Sequence, residues 1–149
     1  MNTETLTASH GRAFRGRTTP AGKSVDRHGD TALSPSIDSD ALSKRCLGNV
    51  SFALVLLGEF EATGTQQVDE IALLVVGNDP QAAADAAHSL VGAAAIIGAE
   101  SIRALAAEIE AVCRGGEALS AVELVNELRG EMDRCLTDIP RIRTEMQRQ

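Results

Sequence analysis

The stretch DPQAAADAAHSLVGAAAIIGA, residues 79–99, reads as one helix with both ends marked. Asp79 offers a side-chain oxygen to the free backbone N–H groups of a first turn. Pro80 suits the first helical position, where no N–H is needed. Ala83, Ala87, Leu90, Ala94 and Ile97 then recur at steps of four and three, which is one apolar stripe on a helix. Gly98 suits the left-handed residue that closes such a helix. His88 lies beside the stripe, on a line with Ala84, Asp85, Gly92 and Ala95 that faces outward or along the boundary.

The same grammar extends both ways. Upstream, Asp38 or Ser39 can cap a short helix over about 39–47 carrying Leu42 and Leu47. Asn49 can cap the next, which runs to about Val76. Its apolar positions Ala53, Leu56, Leu57, Phe60, Val68, Ile71 and Val75 keep helical spacing. Gly58 and Gly64 weaken its middle and permit a bend, and Gly77-Asn78 stops it. Ile71 to Val76 alone would pass for a strand, but its flank is helical. Downstream, a helix over about 100–114 is expected to bury Ile102, Leu105, Ala106, Ile109 and Val112 before Gly115-Gly116 breaks it. Ser120 with Glu123 has the form of a capping box, opening a last helix with Val125, Leu128, Met132, Leu136 and Ile139. Pro140 is expected to disrupt or end that helix. No internal repeat is visible. Four substantial amphipathic helices joined by short turns imply an all-α protein, an antiparallel four-helix bundle over residues 37–149 preceded by a short N-terminal helix. Residues 1–36 show no apolar periodicity and are rich in Gly, Ser, Thr and Pro, so they read as a disordered arm or linker. His10 and His28 lie in that arm without partners at metal-ligand spacing.

Composition narrows the function. Aromatic residues make up only 2%, so the core must be aliphatic. Net charge is −7 and unevenly split: the arm holds five basic and three acidic side chains, residues 37–149 nine and eighteen. An acidic domain does not suit nucleic acid, which requires a basic face. Cys46, Cys113 and Cys135 are far apart and form no CxxC pair, so neither zinc nor a disulfide framework is signalled, and a reducing compartment fits. No apolar signal-peptide core stands at the N-terminus. The apolar run Leu90 to Ala99 is too short to span a bilayer. The expectation is a cytoplasmic protein that engages no membrane, with a transit peptide the weaker alternative for the arm. No phosphate-cradling Gly-rich loop, metal cluster or cofactor motif is present, so no cofactor and no ATP site are expected.

The chemistry-bearing constellation centres on His88. Gly92 lies one helical turn after it on the same face, where a glycine costs about 1 kcal/mol against alanine and clears space beside the imidazole. His88 is eleven residues before Ala99 and Glu110 eleven after it, so an antiparallel pair would bring them to one height. Glu110 can then accept a hydrogen bond from one ring nitrogen, fix the tautomer and leave the other free as a nucleophile. Arg114, one turn beyond, can reach a phosphoryl oxygen. By spacing alone the commoner reading is a plain surface histidine beside a solvated Glu110–Arg114 pair.

The string Ala87-His88-Ser89-Leu90-Val91-Gly92-Ala93-Ala94, followed by Ile97-Gly98-Ala99, resembles the histidine phosphotransfer (HPt) domain family, whose pattern is roughly A-H-x-L-K-G-x-A and then a Gly-Ala turn. The resemblance extends over residues 37 to 142, with Ile37-Asp38, Phe60, Gly77-Asn78-Asp79 and Leu105 to Glu110 in place. It implies a phosphocarrier of two-component signalling: His88 as phospho-acceptor, Glu110 as ring orienter, and receiver domains of response regulators or hybrid histidine kinases as partners. It also implies an apolar docking patch around the histidine, here Ala84, Val91 and Ala95. One position departs from the pattern. The family usually has lysine three residues after the histidine, and this chain has Val91, which makes Arg114 the candidate substitute. Two other readings stand beside the carrier, which is expected to be monomeric: a receiver-binding adaptor with impaired transfer, and a helical bundle of unrelated structural role.

Overall fold

A computed structural model describes residues 35–148. The arm expected over residues 1–36 lies outside the described residues apart from Pro35 and Ser36. Among the described residues the structure is all helical: α1 (Ser39–Arg45), α2 (Val50–Val76), α3 (Pro80–Ile97), α4 (Glu100–Arg114), a 3₁₀ turn (Ala118–Ala121) and α5 (Val122–Gln147).

Three of the helices begin as the sequence indicates. Asp38 accepts from the Ala41 N–H at 3.0 Å, Asn49 from Phe52 at 3.0 Å, and Asp79 from Ala82 at 3.3 Å, with Pro80 opening α3. The ends are equally local. Asn78 takes a left-handed φ of 56° after α2, and Gly98 one of 79° after α3. Leu47 departs from expectation. It lies beyond α1 with a φ of 55° and is almost fully exposed, because the chain turns through Leu47 and Gly48 to reach the Asn49 cap.

One aliphatic core joins the helices. Leu42 of α1, Leu57 and Ile71 of α2, Leu90 and Ile97 of α3, Ile102 and Ile109 of α4, and Leu128 and Ile139 of α5 are essentially inaccessible to water. Burying each such side chain stabilises the fold by about 1.5–3 kcal/mol. In α4 the buried position near the end is Cys113, whereas the expected Val112 is only partly buried. All three cysteines are free and buried, and burial pushes the Cys135 thiol up to about 12.

Elements of α2 and α5 meet through a close approach. A Cβ on Gly64 would come within 2.7 Å of the Met132 sulfur, so the glycine admits Met132, and α2 continues through it unbroken. Arg129 bonds Asp69 at 2.6 Å and Arg143 bonds Glu61 at 2.8 Å along the same seam.

Two local rules yield to packing. Ser120 does not cap α5: it sits in the 3₁₀ turn, its hydroxyl donates to Glu117 at 3.4 Å, and the helix starts at Val122 without a side-chain cap. Pro140 does not end α5, which continues to Gln147. An interior proline costs roughly 3 kcal/mol. Beyond it Ile142 and Met146 are each 1% exposed, which offsets a cost of that size. Arg141 also bridges Asp138 and Glu145 across the proline. The Arg141 guanidinium, and less strongly the Ser36 hydroxyl at 2.8 Å, hold the Asp138 carboxyl below its ordinary value.

The turn between α3 and α4 is the tightest junction. The Gly98 carbonyl accepts from the Asp38 N–H at 2.9 Å, and a Cβ on Gly98 would meet the Asp38 carbonyl oxygen at 2.9 Å. Gly98→Ala is therefore expected to lower stability by about 1–2 kcal/mol from the left-handed backbone alone, and further from the clash with Asp38. Urea unfolding followed by circular dichroism checks this, and a midpoint equal to wild type would refute it.

Candidate functional site

His88 emerges at the middle of α3, on the side turned toward α4. Its side chain is 69% exposed, and Nδ1 lies 3.0 Å from Oε2 of Glu110, which is itself only 21% exposed. The equal-height expectation is met at this pair. Against an ionised carboxylate, which can only accept, Nδ1 is the donor, and the neutral form of the ring would then keep its lone pair on Nε2. Glu110 is partly buried, while the imidazole extends into solvent.

Arg114 extends the network. Its Nη2 donates to the same Glu110 oxygen at 3.3 Å, and its Nη1 donates to Asp85 Oδ1 at 3.0 Å. The bond to Asp85 is the larger reason that the guanidinium's proton affinity is raised, with that to Glu110 adding to it. Gln81 reaches Asp85 from the preceding turn at 3.4 Å. One chain of polar groups thus runs Gln81, Asp85, Arg114, Glu110, His88.

Asp85, on the His88 line of α3, has no assigned part in the sequence pattern and joins the site only in the structure. The signal was present: Asp85 and Arg114 are placed about the turn almost symmetrically, as His88 and Glu110 are, so the same counting pairs them. The default reading of Arg114 as a solvated partner of Glu110 obscured a second carboxylate on the facing helix.

Gly92 is exposed, and a Cβ added there would meet nothing within 4 Å. Among the described residues, no packing requires the missing side chain. Val91 and Ala95 are partly buried. Ala84 is fully buried, so its expected place in a docking patch is corrected. It packs inside because α3 lies against α1, α2 and α4 at once, which widens its buried arc beyond the single stripe. Among the described residues, no group of three or more His, Cys, Asp or Glu side chains could hold a metal ion, and no single helix is long and apolar enough to cross a membrane.

The arrangement suits one kind of chemistry. An exposed ring with one nitrogen anchored and the other free could act as a nucleophile, and the space at Gly92 beside it is open. If Glu110 fixes the tautomer, Glu110→Ala should leave the imidazole exchanging between its two neutral forms. Ring ¹⁵N shifts at high pH read this directly. Retention of a dominant Nδ1–H form in the variant would remove Glu110 from that role.

Compared with known proteins, residues 55–138 match the family model described as the Hpt domain. No curated protein and no solved structure gives a match to the chain.

Proposed function

We propose, since this chain belongs to the Hpt domain family, that it carries a phosphoryl group on His88 between receiver domains. Histidine phosphotransfer in two-component phosphorelays is what membership implies, and Hpt domains interact with receiver domains there. The assignment to His88, the roles of its neighbours and the antiparallel four-helix bundle are our reading. Two pairings support that bundle: 85 with 114 and 88 with 110 between α3 and α4, and 61 with 143 and 69 with 129 between α2 and α5, the numbers rising along one helix as they fall along the other.

The observation that carries the function is the 3.0 Å contact between His88 Nδ1 and Glu110. In the transfer step the Nε2 lone pair attacks the phosphorus of a receiver's aspartyl phosphate. The N–P bond forms, and the P–O bond to the aspartate breaks with its electron pair passing to the leaving carboxylate. The proton stays on Nδ1, so the ring becomes cationic, and the Glu110 carboxylate beside it stabilises that charge. The reverse transfer follows the same path to another aspartate. Val91 brings no cation to the phosphoryl oxygens, and Arg114, which shares Glu110 Oε2 with the ring, is the candidate to supply one.

The competing reading, a receiver-binding adaptor with impaired transfer, draws on Val91. One experiment separates the two. The protein is mixed with a panel of receiver domains charged by a small phosphodonor, and acid-labile phosphate is followed. Wild type is expected to take up phosphate and His88→Gln none. Receiver binding without phosphate on wild type would favour the adaptor. Arg114→Ala is expected to slow transfer roughly threefold to tenfold, the discounted value of one charge-assisted bond at an exposed site. A rate equal to wild type would take Arg114 out of the mechanism.

A further inference from the structure

We propose that Asp85 is a positioning residue that withholds Arg114 from the phosphoryl group on His88 and so biases the carrier toward giving the group up; this rests on the carrier reading above. Both terminal nitrogens of the Arg114 guanidinium are already directed at carboxylates, Nη1 at Asp85 and Nη2 at Glu110, and the contact to Asp85 is the shorter. Glu110 Oε2 is shared between Arg114 Nη2 and His88 Nδ1, so the bond to Glu110 keeps the guanidinium beside the ring. The shorter bond to Asp85 is the one that competes with a phosphoryl group on Nε2 for the guanidinium.

Charge counting gives the direction of the bias. Two carboxylates and one guanidinium surround a neutral ring. Transfer places about −1.5 to −2 of charge on the phosphoryl oxygens, only partly offset by the ring, which becomes cationic. Asp85 stands one turn before His88 on the exposed side of α3, where residues three apart are neighbours. Its carboxylate therefore acts twice against the phosphorylated form. It repels the phosphoryl oxygens, and it competes with them for the cation. Val91, the residue three positions after His88, supplies nothing to offset this.

Exposure sets the scale. The Asp85 side chain is 64% exposed and that of Arg114 40%. A solvated pair of this kind exchanges partners at little cost and is screened by salt. The bias is accordingly a few-fold and not orders of magnitude, and it should weaken as salt is added.

The test uses the full chain and a receiver domain that donates to it. The quantity read is the equilibrium ratio of phosphate on His88 to phosphate on the receiver aspartate, for wild type, Asp85→Asn, Asp85→Glu, Arg114→Ala and Asp85→Asn/Arg114→Ala. Asp85→Asn is expected to shift the ratio toward His88 by about two- to fivefold, and Asp85→Glu to return it toward wild type. The shift should shrink when Arg114 is already absent. Thermal melting of Asp85→Asn should match wild type, which sets aside a merely structural effect. An unchanged ratio in Asp85→Asn overturns the inference, as does a shift just as large without Arg114, since Asp85 would then act by its own charge alone. A wild type that takes phosphate but shows no Asp85 dependence defeats this inference only. A wild type that takes none defeats the carrier reading along with it.

Discussion

The left-handed turn at Gly98 is the constraint on which the rest of the site depends. Its φ of 79° ends α3 and sends the chain directly into α4 at Glu100. With so few residues between the helices, there is one register in which their apolar faces meet. That register brings His88 level with Glu110 and Asp85 level with Arg114. The Gly98 carbonyl also receives the Asp38 N–H, so the start of α1 is fastened to the same point. A side chain at this position would meet the Asp38 backbone, which cannot move aside as a flexible side chain would.

On that register the two helices divide the work. α3 carries His88 and the open space at Gly92, while α4 carries Glu110 and Arg114, the groups that contact the ring and Asp85. Glu110 is the pivot, because a single carboxylate oxygen meets both the ring and the guanidinium. The Glu110 side chain is 21% exposed against 69% for the imidazole, so the acceptor is the more enclosed of the two partners. The cation is held by hydrogen bonds to two carboxylates, which ties its position to the charge state around it.

Elsewhere the structure shows where long-range burial outweighs local preference. α5 passes Pro140 because Ile142 and Met146 are needed in the core, and it starts without the capping box because the 3₁₀ turn places Ala118 and Ala121 inside. α2 keeps its course through Gly64 because the absent side chain is the space that Met132 fills. Each is a case in which a residue's local cost is smaller than the apolar surface that it allows to be buried.

The sequence by itself determined the helices, most of their caps and the His88–Glu110 pairing. Asp38, Asn49, Asp79 and Gly98 act on the backbone within a few residues, and the stripe of α3 repeats at the helical period. The distance of two residues from a shared turn is likewise a matter of counting. Only the tertiary structure decided that Ala84 is interior, that Leu47 is outside, that Pro140 lies within a helix and that Arg114 is shared between two helices. Those outcomes depend on how many neighbours surround a helix and on which charges face it from another. A one-dimensional periodicity carries neither, because burial and ion pairing are set by distances between segments remote in the chain.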